Sequence, residues 1–197
     1  SYVGNNKSIQ FNKSDLDYSK LSNLSSVGGP PSFSYVQSPF SRVWLEHVPC
    51  TGGFERYLFP AVTGFDGYGR EYSEIVGEAS LLLNLNYSNA QKEALLIDLV
   101  QVGIDNMGII DNGGKSQPDG VFSNVFVNHW PPSAGNCNGR LWPIIFAGIV
   151  LNNNSMKNVA SMSGLKPFSD QGHFFVVQET SPGVYNYVSG TPGKGTG

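Results

Sequence analysis

A chain of 197 residues is long enough for one domain with a substantial core, and 40% hydrophobic content is ordinary for a globular fold. Only 14% of residues are charged against about 25% in a typical domain, so the surface is made polar mainly by Asn, Ser and Gly. A formal net charge of −3, with 12 basic residues spread without a cluster, lacks the electrostatic footprint that a phosphate backbone demands, and nucleic acid is excluded as an expected partner. The longest apolar run, 141–151, is broken by Pro143 and Gly148 and falls short of the roughly 18–20 residues of a membrane span.

Residues 1–40 hold many Ser and Asn, scattered Pro and Gly, and no sustained period, which predicts a long, irregular, extended N-terminal arm wrapping the domain. Its aromatics, among them Phe11, Tyr18, Phe33 and Phe40, argue for burial, since disordered segments are poor in such residues. Residues 41–68 place Trp44, His47, Phe54, Arg56 and Phe65 among Gly and Pro, and read as a structured, aromatic-lined loop. From Arg70 to Asn86 the residues Ile75, Val76, Ala79, Leu82 and Leu83 recur at helical spacing. Ser88 followed by Gln91 has the capping-box pattern and predicts a second helix from about Asn89, with a core stripe of Leu95, Leu99, Val102, Gly103 and Ile110, ending at Asn112-Gly113-Gly114. The short connection makes these two helices an antiparallel hairpin, with the second as its outer member.

After a long irregular insert, 115–139, the segment Arg140 to Leu151 is apolar on all sides and carries Pro143 in its first turn, which predicts an inner helix buried all round. A short helix fits 152–166. The segments 173–178 and 184–188 flank Ser181-Pro182-Gly183 and read as a small C-terminal β-hairpin. The expected organisation is therefore mainly α: an arm over 1–40 and a single helical domain over 41–197.

Three stretches, Gly69 to Leu83, Gln91 to Asp105 and Gly139 to Gly148, resemble a group of uncharacterised secreted bacterial proteins that are similar to (α/α)-toroid polysaccharide-degrading enzymes. The resemblance covers about 40–180 and implies a partial toroid of helical hairpins, an extracellular or periplasmic location and a polysaccharide ligand. A full toroid needs about ten to twelve helices, so the resemblance also implies an incomplete helical domain, finished by further chain or by a homo-oligomer.

In toroid-type lyases acting on uronate polymers, an Asn or Arg commonly holds the sugar carboxylate while a His or Tyr takes the C5 proton. The resemblance therefore points to His129, His47 and Arg140 as catalytic and to Asn128, Trp130, Arg70, Trp44 and Glu71 as substrate-binding. The residue types suit the chemistry, because a weakly acidic proton needs a base near neutral pKa and donors for the developing charge. If the helices starting at Arg70 and Arg140 pack in parallel, both arginines lie at one end and the loops bearing His47 and His129 converge there.

Each residue has a plainer reading. The arginines can cap carbonyls or pair with Glu71 and Asp111, and both histidines can be loop hydrogen-bonders. Glu71, Glu74 and Glu78 form one helix stripe that can divide acid and base roles or face water, and Asp98 and Asp105 can orient a base or satisfy neighbouring groups. Three histidines without metal-ligand spacing predict no tightly bound metal and no cofactor. Cys50 and Cys137 can form one disulfide, which a pair alone does not determine. A polysaccharide-active enzyme, a lyase before a hydrolase, is the first reading. A non-catalytic carbohydrate-binding or surface or viral assembly module is the alternative.

Overall fold

The computed structural model describes residues 10–41, 69–111, 138–162, 168–172, 176–182 and 184–188. Five α-helices run in chain order: α1 Phe33–Gln37, α2 Gly69–Leu83, α3 Asn89–Asp111, α4 Leu141–Val150 and α5 Asn154–Lys157. Two strands follow, β1 Val176–Ser181 and β2 Val184–Val188, paired antiparallel with a register shift between Glu179 and Ser181. The described chain is mainly helical.

The α2 helix buries Tyr72, Ile75, Val76, Ala79, Leu82 and Leu83, one stripe at spacings of three and four. It stops at Leu83, three residues before the end read from the sequence, because the following backbone finds other partners. The Asn84 side chain donates to the Ser80 carbonyl at 2.8 Å. The arm then meets the turn edge-on: the Leu24 amide donates to the Asn84 carbonyl at 3.0 Å and the Asn86 amide to the Leu24 carbonyl at 2.8 Å.

At the start of α3 the capping box forms in both directions, with the Ser88 amide donating to Gln91 Oε1 at 3.0 Å and the Gln91 amide to Ser88 Oγ at 3.4 Å. The helix itself departs from the single stripe expected of an outer member. Leu95, Leu96, Leu99, Val100, Val102, Ile104, Met107 and Ile110 are all buried, because α1, α2 and α4 all pack on it. Each fully buried Leu contributes about 1.5–3 kcal/mol relative to exposure, so α3 is the centre of the core rather than its rim.

Gly103 explains how closely α4 approaches. A Cβ at that position would lie 2.1 Å from the Pro143 carbonyl oxygen and 2.7 Å from the Ala147 methyl. The end of α4 is closed by a left-handed residue, Asn152 at φ 50, with the Asn152 amide bonded to the Ile149 carbonyl and the Asn153 amide to the Gly148 carbonyl. That is the paired bonding of a Schellman terminus, with Asn taking the place usually held by Gly. Asn153 then caps α5 by accepting from the Met156 amide at 3.0 Å.

The N-terminal segment is not wholly extended. Single 3₁₀ turns at Lys13–Asp15 and Tyr18–Lys20 precede α1, which Ser32 caps by accepting from the Tyr35 amide. Five residues of helix are too few to show a period, so α1 was invisible to periodicity. The segment is tied down along its length. The Asp17 amide donates to the Val150 carbonyl at 2.8 Å, the Ser22 amide to Asn84 Oδ1 at 2.8 Å, and Leu21, Val36 and Phe40 are buried. Lys92, only 1% exposed, reaches the Ser22 carbonyl at 3.3 Å and Asn23 Oδ1 at 3.4 Å, and burial lowers its pKa. Gln37 of α1 donates to Asp98 of α3 at 2.8 Å, inside a setting whose burial lifts the Asp98 carboxyl above its ordinary value.

Two consequences are measurable by thermal and denaturant unfolding. Ser88→Ala should lower stability by about 1 kcal/mol through the lost cap. Gly103→Ala should cost at least about 1–3 kcal/mol, because the new methyl meets a backbone carbonyl that cannot turn aside. Equal, negligible losses would contradict the hairpin and the crossing. The second consequence concerns pH. A carboxyl with a raised folded-state pKa adds no penalty below its unfolded value, near 3.8. The penalty then grows as pH rises through the folded-state value, and stays constant above it. Asp98→Asn keeps an acceptor for Gln37 and removes that penalty, so its melting temperature should exceed the parent's at about pH 7 and match it at about pH 3. A gain of equal size at both values would show that ionisation is not the cause.

Candidate functional site

Of the buried polar side chains among the described residues, Arg140 and Asn106 meet at one end of the three main helices. Arg140 precedes α4, is 0% exposed, and sets its guanidinium carbon 4.1 Å from the centroid of the Tyr72 ring in the first turn of α2. Its Nη1 donates to the Asn138 carbonyl at 2.8 Å. Asn106 of α3 donates to the Tyr72 hydroxyl at 3.1 Å and reaches the Arg140 carbonyl at 3.4 Å. Stacking on an aromatic face suits a planar, weakly hydrated guanidinium and is worth about 2 kcal/mol when desolvated. Both α2 and α4 run antiparallel to α3, so their N-termini meet here.

The approach to α4 is cut to fit. Gly139 has φ +87, and a Cβ there would also lie 2.8 Å from the backbone nitrogen of Ser73, so conformation and space both call for glycine. Arg140 supplies no side-chain cap to the helix. Asp170, some thirty residues on, does so instead: Oδ1 accepts from the Gly139 amide at 2.7 Å and Oδ2 from the Leu141 amide at 3.4 Å. A carboxylate at a helix N-terminus is stabilised by the free amides and the positive end of the dipole, by about 0.3–1 kcal/mol. Pro143, lacking an amide hydrogen, removes one of the donors that would otherwise need a partner.

Beside this junction lies an open groove of about 330 Å³ between α2 and the first turn of α4. Ser73, Gly77 and Ser80 form its α2 side, Gly139 and Trp142 its α4 side, and Asp170 closes one end. Trp142 is 39% exposed, and its indole Nε1 donates to Ser80 Oγ at 2.5 Å, which fixes the ring. Leu81, 72% exposed, stands at the rim. The volume is at the small end of ligand pockets, enough for one ring-sized group.

Of the residues singled out in the sequence, Arg140 is placed in full, and it lies buried against Tyr72 rather than lining the groove. Arg70 and Glu71 occupy the first turn of α2, at the end where Arg140 sits; their side chains lie outside the described set. His47, Trp44, Asn128, His129 and Trp130 lie outside the described residues, as do Cys50, Cys137 and His173. Along the carboxylate stripe Glu74 is exposed and Glu78 half-buried. Asp98 accepts from Gln37, and Asp105 accepts from Gln101 at 2.9 Å. Among the described residues no three His, Cys, Asp or Glu gather as a metal site, and no helix is long and apolar enough to cross a membrane.

Sequence reasoning missed Trp142 and Asp170. Trp142 sits in an apolar run that reads as core throughout, and only the position of Ser80 shows why its ring stays near the surface. Asp170 belongs to a Ser-Asp-Gln-Gly turn with no recognisable spacing to α4. Comparison with protein-family profiles, curated proteins and solved structures returns no match.

Proposed function

We propose that this protein is an extracellular or periplasmic polysaccharide-active enzyme, a lyase on uronate-containing glycans, and that the end of the bundle where α2 and α4 begin is its ligand-binding end. The observation that carries this reading is the groove, lined by a half-exposed indole that the buried Ser80 hydroxyl pins in place, by Ser73 and by the Asp170 carboxylate. An aromatic face packs on the C–H face of a sugar ring while a carboxylate accepts hydrogen bonds from hydroxyls on its rim. Two parallel helices packed on an antiparallel third also suit a segment of an (α/α) toroid.

The chemistry assigned from the sequence is an elimination. His129 or His47 takes the C5 proton of a uronate, the C–H electrons form the C4–C5 double bond, and the C4–O bond breaks with its electrons going to the departing sugar oxygen, which is then protonated. Arg70, Asn128 and Trp130 would hold the sugar, with Trp44 and Glu71 beside them. Arg140 acts in this reading as a positioning residue, since its guanidinium is stacked inside the protein. That same burial favours a second reading, a non-catalytic carbohydrate-binding module, because it removes one cation from direct contact with an anionic sugar.

A panel of uronate polysaccharides, incubated with the full chain while the absorbance of the unsaturated product is followed, separates the two. The enzyme reading expects a rise on at least one polymer that His129→Ala abolishes without changing the far-ultraviolet dichroism. Binding without any rise would establish the module, and neither binding nor a rise would remove both.

A further inference from the structure

We infer that the cavity between α3, α5 and residues 10–11 of the N-terminal segment is a copper(I) site, its ligands the thioether sulfurs of Met107, Met156 and Met162 with the Asp111 carboxylate beside them. The chain has three methionines, and all three are among the ten residues that line this one cavity of about 220 Å³. Methionines used as core filler go wherever a gap needs an adaptable side chain, which gives no reason for them to gather. Histidine spacing bears on nitrogen-ligand sites. Thioethers are a different class, soft and uncharged donors that select copper(I).

Each sulfur is carried on backbone that is tied in place. Met107 and Asp111 stand four residues apart on α3 and so share a face. Met156 is held twice: its amide donates to Asn153 Oδ1 at 3.0 Å, and its Cβ lies against α4, where a Cβ added at Gly148 would come within 2.8 Å of it. The Met162 amide donates to the Val159 carbonyl at 3.1 Å, closing the 3₁₀ turn that follows α5.

From these anchors the side chains have the reach to meet. Methionine is unbranched with three rotatable bonds, so its sulfur can turn to a shared point without backbone movement. Met107 and Met156 are buried, and Phe11 and Ile104 add apolar walls that keep water from part of the ion's surface, where weak thioether donors face less competition. Copper(I) brings one positive charge and three thioethers bring none. Asp111 supplies the neutralising charge, and because partial burial raises the pKa of its carboxyl, a neighbouring cation favours the charged form.

Copper(I), added under argon as its acetonitrile complex to the full chain labelled at the methionine methyl carbons, tests this in carbon–proton correlation spectra. The readout is the methionine methyls themselves, so copper held by Cys50 or Cys137 is not counted. The expected result is that all three methyl signals move along one common binding curve, while zinc(II), which takes nitrogen, oxygen and thiolate ligands, leaves them in place. Met162→Leu keeps the volume and removes the sulfur, and should weaken that curve at least about tenfold. Asp111→Asn should weaken it as well. The spectra of the unaltered chain need no variant to fold. Movement of only one or two signals, three separate curves, no movement, a zinc response equal to that of copper, or unchanged affinity in Met162→Leu or Asp111→Asn would overturn the inference.

Discussion

A guanidinium taken wholly out of water is tolerable only where its surroundings replace what water supplied, and the arrangement around Arg140 is built to that requirement. The Tyr72 ring covers its face, the Asn138 carbonyl accepts a hydrogen bond from it, and Asn106 links the Tyr72 hydroxyl to the Arg140 carbonyl. These residues come from α2, α3 and the entry to α4, so the polar groups fix the relative height of three helices whose apolar faces alone would permit sliding. A buried network of this sort adds little net stability and much positional definition. The closeness of Gly139 to Ser73 and the capping of α4 by Asp170 follow from the same register, and the groove is the space left beside it.

The opposite end is held by different means. There the N-terminal segment, not a buried charge network of the helices themselves, joins the parts: Leu24 bridges to the α2–α3 turn, Asp17 bonds to the last turn of α4, and Lys92 projects from α3 to the segment's own backbone. The core between the two ends is apolar, from Leu83 and Leu95 to Phe146 and Val150. This division leaves the end bearing the groove defined by hydrogen bonds and stacking, which hold side chains in fixed directions.

How much of this was legible beforehand depended on the range of the interaction. The α2 stripe, the Ser88–Gln91 box and the helix after Arg140 were all readable, because each is a local pattern set by backbone geometry over a few residues. The parallel setting of α2 and α4 follows from the short turn and from each helix having α3 as its partner. What could not be read was anything whose partner is distant in the chain. Arg140 was assigned to an anionic sugar through the resemblance, whereas the ring that covers it belongs to Tyr72, far away in the chain. The single stripe assigned to α3 failed because α1, a five-residue helix with no visible period, and the rest of the N-terminal segment cover a further face. Trp142 and Asp170 are defined by Ser80 and by the amides of Gly139 and Leu141, none of which lies near enough in sequence to make a motif.

The central claim is that the stack of Arg140 on Tyr72 couples α4 to α2. A double-mutant cycle with Arg140→Met, Tyr72→Leu and the pair, read by denaturant unfolding, measures that coupling directly. The account predicts that the two losses are non-additive, with a coupling energy of about 1–2 kcal/mol. Losses that add to within roughly 0.5 kcal/mol would contradict it and leave the helices held by apolar packing alone.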